Sequence, residues 1–140
     1  MSEQPISIII VEDEPEFRRR FVQIVENEPS MKLVGVAPNK REAQAIIDRD
    51  NFDVMLIDVF MPHMRGLESV RMFHERRPEI PVVAMSGYAF ANTERAPDFL
   101  RMAIELGAAC CLRKPFTPDA LLTSVNQCIT TPKASVRHSK

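Results

Sequence analysis

Asp58 closes the apolar run Asp53-Val-Met-Leu-Ile-Asp58, and three other apolar runs deliver polar groups in the same way. Glu12 and Asp13 follow Ile6-Ser-Ile-Ile-Ile-Val11, Ser86 follows Pro81-Val-Val-Ala-Met85, and Lys114 follows Ala108-Ala-Cys-Cys-Leu-Arg113. Three acids, a hydroxyl and an ammonium suit phosphoryl transfer. A carboxylate is a weak acceptor for a phosphoryl group that is itself anionic, so the reaction needs a divalent cation to screen the repulsion. Mg²⁺ is hard, and typically takes one or two carboxylates plus waters. Glu12, Asp13 and Asp58 could supply that site. Lys114 would act as a point charge on one phosphoryl oxygen, and Ser86 could donate a hydrogen bond to another.

Each residue alone has a plainer explanation. Glu12-Asp13 before Pro15 could complement a helix N-terminus, Asp58 could be a turn residue, and Ser86 could be a cap. Lys114 before Pro115 says almost nothing by itself. The plain explanations must hold together at four strand ends, and that conjunction favours a site.

The elements that would position these groups are legible in the periodicity. Short apolar runs alternate with helix-period segments, the pattern of βα units around a parallel sheet. Strands are expected at residues 6–11, 31–37, 53–58, 81–85 and 108–113. The first is apolar at nearly every position, as a strand covered on both faces should be. Pro15 opens a helix with an apolar stripe at Phe17, Phe21, Ile24 and Val25. Glu14 and Glu16 precede Arg18 and Arg20 by four residues, the favourable order for helix ion pairs on a solvated face. Asn39 and Glu42 form a capping box for a helix that buries Ala43, Ile46 and Ile47. After a loop marked by Pro62 and Gly66, Leu67, Val70 and Phe73 start a third stripe, which Pro78 ends.

Residues 86–97 read as a long loop, or a loop with a distorted helix start. A fourth helix over 97–106 would turn Phe99, Leu100, Ala103 and Leu106 inward and stop at Gly107. Thr117-Pro118 caps the last helix, with a stripe of Leu121, Leu122, Val125, Cys128 and Ile129. In an open sheet of this kind, ligands bind at the carboxyl ends of the strands, where the polar groups lie.

Composition narrows the function classes. The 140 residues fit one domain, 45% hydrophobic and 26% charged, with a formal net charge of -1 that gives no reason to expect nucleic-acid or membrane binding. The expected division is a folded domain over 1–129 and a flexible basic tail over 130–140, containing Lys133, Arg137, His138 and Lys140. Cys110, Cys111 and Cys128 show no disulfide or metal-ligand spacing, which suits reduced thiols and a cytoplasmic location. His63, His74 and His138 have no ligand partners at metal spacing and read as surface residues. The methionines read as loop and core packing.

At Val11-Glu12-Asp13-Glu14, Leu56-Ile57-Asp58-Val59-Phe60-Met61-Pro62, Met85-Ser86-Gly87 and Lys114-Pro115-Phe116, the sequence resembles the receiver domains of two-component response regulators. The resemblance spans residues 6 to about 129. It implies a flavodoxin-like α/β fold, a doubly wound five-stranded parallel sheet of order 2-1-3-4-5 with helices on both faces. It also implies phosphorylation of Asp58 by a histidine kinase or histidine phosphotransfer protein, with Ser86 and Lys114 assisting. Mg²⁺ would be held by Glu12, Asp13, Asp58 and the backbone carbonyl of Phe60. A cis bond before Pro115 is expected as well.

The chain departs from that family in three places. The switch aromatic that usually stands three residues before the lysine is Cys111 here. The stretch from Ser86 to Gly107 is longer than usual by more than one helical turn, and it carries Tyr88 and Phe90. The acidic pair common on strand five is Ala109-Cys110, and residues 119–129 contain no Arg or Lys. Phe60, Tyr88, Cys111 and Pro115 are the residues expected to modulate the switch, and a monomer or weak dimer is expected.

The reading is a stand-alone signalling switch or phosphorelay intermediate, not a metabolic enzyme, with an unknown downstream protein. Two rivals remain. One is a degenerate receiver that binds partners without phosphorylation. The other is an aspartyl-phosphate phosphatase, which would want an acid where Phe60 stands. An FMN-binding flavodoxin is disfavoured because Glu12-Asp13-Glu14 would repel a phosphate.

Overall fold

A computed structural model describes residues 4–59, 66–86, 101–113 and 116–130, with Ser86 and Thr130 described by their backbone alone. Five strands form one parallel sheet: β1 (Ile6–Val11), β2 (Met31–Ala37), β3 (Val54–Asp58), β4 (Val82–Ser86) and β5 (Cys110–Arg113). Their spatial order is β2-β1-β3-β4-β5, as the resemblance implies. The helices are α1 (Pro15–Glu26), α2 (Lys40–Arg49), α3 (Gly66–Arg76), a helical stretch at residues 101–105 that we label α4, and α5 (Pro118–Thr130).

The strands are apolar throughout because both faces are covered, and side-chain alternation divides the core into two layers. Ile8, Ile10, Val54, Leu56, Val83, Met85 and Leu112 pack with Phe21 and Val25 of α1 and Leu121 and Val125 of α5. Ile9, Val11, Met55, Ile57 and Ala84 pack on the opposite side with Ala43, Ile46, Ile47, Val70, Phe73 and Ala103.

Local chemistry sets the helix boundaries. The Glu14 side chain caps α1 by accepting from the Phe17 N–H, and Pro15 fills the first turn. The capping box of α2 forms as expected: Asn39 Oδ1 accepts from the Glu42 N–H at 2.9 Å, and Asn39 Nδ2 donates to Glu42 Oε2 at 3.5 Å. Thr117 Oγ1 accepts from the Ala120 N–H at 3.0 Å at the start of α5.

At the end of α4 the Gly107 N–H bonds the Ile104 carbonyl and the Ala108 N–H bonds the Ala103 carbonyl, both at 3.0 Å. This is a Schellman termination, and it explains the Gly107 φ of 121°.

Several expectations need correction. Ser86 is the last residue of β4 rather than the first after it. β5 begins at Cys110: Ala108 closes the turn that ends α4, and the Ala109 N–H makes the first bond to β4, to the Val82 carbonyl at 2.8 Å. Ile129 is 40% exposed and lies outside the α5 stripe. Glu14 serves as a cap, and the Arg18 guanidinium reaches back to the Glu12 carbonyl at 2.9 Å. Neither Glu14–Arg18 nor Glu16–Arg20 is among the described ion pairs. His74 is half-buried rather than a free surface residue, and its ring lies beside Gly107. A Cβ on Gly107 would come within 2.6 Å of that ring.

Candidate functional site

The carboxyl end of the sheet centre holds two buried acids. Val11 of β1 pairs with Ile57 of β3, so one step further along each strand Glu12 lies beside Asp58. Adjacent strands are about 4.8 Å apart. Strand alternation carries Glu12 on from Ile8 and Ile10, and Asp58 on from Val54 and Leu56, toward the side covered by α1 and α5. Glu12 is 0% and Asp58 3% exposed, and Ser69 is the other buried polar residue among those described.

The sheet's last hydrogen bonds fix the backbone under both acids. The Glu12 N–H donates to the Ala37 carbonyl at 3.0 Å, and the Val59 N–H donates to the Met85 carbonyl at 2.8 Å. On the β1 side the turn into α1 is held from within. Glu12 Oε2 accepts from the Glu14 N–H at 3.2 Å, while Arg18 ties down the Glu12 carbonyl. Asp13, partly exposed, sits between these anchors. At the opposite end of β3, Asp53 Oδ2 accepts from the Ser7 N–H and hydroxyl at 2.9 and 3.0 Å. That contact fixes the register of β3 against β1 from below, so the two acids arrive level.

The remaining expected groups approach along β4 and β5. Asp58 pairs with Met85, Met85 with Leu112, and Ser86 with Arg113. The backbone therefore brings Ser86 and the end of β5 to the same edge of the sheet as Asp58. Phe116, two residues after Lys114, stacks on Phe21 of α1 with ring centroids 5.2 Å apart. This contact ties the segment leaving β5 to the helix that follows Glu12 and Asp13. The side chain of Ser86, and Phe60, Tyr88, Phe90, Lys114 and Pro115 entirely, lie outside the described residues, as does the bond before Pro115.

Among the described residues, no group of three or more His, Cys, Asp or Glu side chains is placed to hold a metal ion. The donor set nevertheless suits Mg²⁺, which commonly takes one or two carboxylates and completes its shell with water. Glu12, Asp13 and Asp58 are all hard oxygen donors.

The sequence matches the response regulator receiver domain over residues 8–126. The chain belongs to that family. A protein-glutamate methylesterase/protein-glutamine glutaminase of Thiobacillus denitrificans is 38% identical over 110 residues, covering 79% of this chain and 30% of the relative. Its counterpart in Agrobacterium fabrum is 35% identical over 113 residues, covering 81% of this chain and 31% of the relative. Among solved structures, a CheY-like response regulator receiver domain protein from Methanospirillum hungatei superposes with a TM-score of 0.75 at 26% identity. That match covers 89% of this chain and 93% of the other. The receiver thus spans about 30% of the length of the curated relatives it matches, and their enzymatic activity is not shown for it. No helix among its described residues is long and apolar enough to cross a membrane.

What the sequence did not reveal is a thiol pair. Cys110 and Cys128 lie 18 residues apart, yet their Sγ atoms are 3.0 Å from each other. Cys111, next to Cys110 on β5, faces the opposite core layer. Burial, and secondarily the neighbouring Cys110, pushes its thiol pKa up to about 11. Strand alternation could have separated Cys110 from Cys111, and the helical stripe placed Cys128 inward. Only the packing of α5 on β5 joins the two.

Proposed function

We propose that the chain is a phosphorylation-controlled signalling switch or relay whose acceptor is Asp58. The observation that carries this reading is the buried Glu12–Asp58 pair at the carboxyl ends of two adjacent central strands. Burying like charges side by side is costly without a cation. The arrangement is therefore understandable as a site for Mg²⁺ and, with Lys114, for a phosphoryl group. Glu12, Asp13, Asp58 and the Phe60 carbonyl would hold the ion, directly or through water. When bound, it would screen the repulsion between carboxylate and phosphoryl oxygens.

In the transfer itself, an Asp58 carboxylate oxygen attacks the phosphorus of a phosphohistidine donor in line with the P–N bond. An acyl phosphate forms and the imidazole leaves. The rigid ladder under Asp58 supplies orientation, Ser86 a hydroxyl hydrogen bond to a phosphoryl oxygen, and Lys114 positive charge. The donor would be a histidine kinase or a histidine phosphotransfer protein, the proteins with which receiver domains typically interact.

Residues 1–129 would form the receiver and 130–140 a basic tail, although α5 extends the folded part by one residue, to Thr130. Phe60, Tyr88, Cys111 and Pro115 would modulate output and lifetime.

The test is uptake from a small phosphodonor such as acetyl phosphate. The native chain with Mg²⁺ should gain one phosphoryl group, and chelation of the metal or Asp58→Asn should abolish the gain. Unchanged uptake in Asp58→Asn would overturn the reading. In a metal titration, Asp13→Asn should weaken Mg²⁺ binding more than Ser86→Ala, because the carboxylate is the ligand and the hydroxyl serves phosphoryl oxygen. Equal losses would reverse those assignments.

A further inference from the structure

We infer that Cys110 and Cys128 form a thiol pair that peroxide converts to an intramolecular disulfide, fastening α5 to the sheet-edge strand β5. Three observations carry this, all independent of the acidic site. First, the two Sγ atoms are 3.0 Å apart, about 1 Å beyond a disulfide bond of ~2.05 Å. Second, both residues belong to the core layer between the sheet and α5, whereas Cys111 packs into the layer on the other face. Strand alternation makes that separation obligatory, so the adjacent cysteine does not compete. Third, all three thiols are half-buried rather than sealed in the core, so a small oxidant has a route to them.

The local chemistry assigns the two sulfurs different roles. A hydrogen bond from Cys128 lowers the pKa of Cys110 against the opposing effect of burial. Cys128 is raised, first because it donates that hydrogen bond and then by burial. Either sulfur can donate across the 3.0 Å contact. The lowered pKa of Cys110 makes it the one that ionises first, on giving up its own hydrogen bond to the Ser124 carbonyl. The Ser124 carbonyl lies 3.7 Å from the Cys110 sulfur, one helical turn before Cys128. The α5 backbone therefore holds the pair in register.

The oxidant is hydrogen peroxide. The Cys110 thiolate attacks one peroxide oxygen, the O–O bond breaks, and the departing hydroxide takes up a proton as water. This leaves Cys110 as a sulfenic acid. The Cys128 sulfur then attacks the Cys110 sulfur, the S–O bond breaks, and the Cys128 proton leaves with the hydroxide as a second water. Two thiols lose two electrons in total, and one peroxide becomes two waters. The product would link α5 to the strand that leads into Lys114.

The experiment is a non-reducing peptide map of the full chain, reduced, freed of reductant and exposed to graded hydrogen peroxide. The free-thiol count should fall from three to one, with Cys110 and Cys128 linked in a single chain and Cys111 still open to alkylation after unfolding. Cys111→Ser should form the same bridge, while Cys110→Ser and Cys128→Ser should form none. If a serine variant fails to fold, the native map decides alone. Bridges to Cys111, bridges between chains, or separate sulfinic acids at Cys110 and Cys128 would each overturn the inference. Because no phosphodonor enters the experiment, its outcome is independent of whether Asp58 is an acceptor.

Discussion

The sheet centre and its β5 edge solve opposite problems. β3 is buried at all five positions, and β1 is buried from Ile8 to Val11. Both run directly into buried acids whose backbones are fixed by the last ladder hydrogen bonds. β5 has four residues, one of them buried, and it carries two half-buried cysteines and an exposed Arg113. It pairs along one side with β4, packs under α5 on one face, and meets the layer containing Ala103 through Cys111 on the other. The contrast separates the two regions of the proposed reading: the rigid strands end in the acids that would hold the phosphoryl group and its metal, while the paired cysteines lie on the partly buried edge strand and the helix over it.

The sharpest way to break this contrast is to remove a side chain from each region. Leu56→Ala at the centre of β3, from a fully buried site, should cost about 2–5 kcal/mol through lost burial and the cavity left behind. Cys110→Ala on β5 should cost about 1 kcal/mol, the ordinary scale for a partly buried position. Urea midpoints at unchanged slope measure both, and equal losses would mean that the edge is as tightly built as the centre.

Next in size is Gly107→Ala. Its φ of 121° disfavours any side chain, and the new Cβ would meet the His74 ring at 2.6 Å. The strain alone is worth about 1–3 kcal/mol. Adding His74→Ala should recover the part of the steric share that the ring imposes, while the residue-74 Cβ, 2.9 Å from the new methyl, and the backbone strain keep the rest. Full recovery in the double variant would show that the turn tolerates a side chain there.

Thr117→Ala removes the cap of α5 and should cost about 1 kcal/mol, read from the same denaturation curves. A loss below a few tenths would mean that α5 is positioned by its packing alone.

The smallest effect sharpens the difference between the two faces of β5. Burial raises the Cys111 thiol to about 11 from 9.0. The folded chain therefore keeps a proton that the unfolded chain releases above pH 9. The contribution of Cys111 to stability is complete below pH 9 and is lost as pH rises toward 11. At pH 8 its thiolate should be on the order of a hundredfold scarcer than that of a free cysteine. Iodoacetamide should then label Cys111 in the folded protein far more slowly than Cys110, and equal rates would contradict the assignment.

How much of this could be read from the sequence follows the same division. The centre was legible because burial on both faces forces unbroken apolar runs, and a run that stops at Asp58 or at Glu12-Asp13 announces its own end. Caps at Asn39 and Thr117 and the stop at Gly107 were legible for a similar reason, since each is a local hydrogen-bonding requirement. The edge was not. Whether β5 starts at Ala108 or Cys110 depends on how many residues the Schellman turn consumes. Arg18 was assigned to a helix ion pair because spacing alone cannot show that Glu14 is already engaged as a cap. The meeting of Cys110 with Cys128, like that of His74 with Gly107, is a tertiary contact that no periodicity encodes.

The central claim is that the acid ending β3 is the reactive group of this receiver. Mass mapping of the native chain after acetyl phosphate and Mg²⁺ treatment tests it most directly. The account predicts one acid-stable, base-labile phosphoryl group, confined to the peptide that contains Asp58. A modification on any other residue, or a chain that stays unmodified while its Mg²⁺ site is saturated, would contradict it.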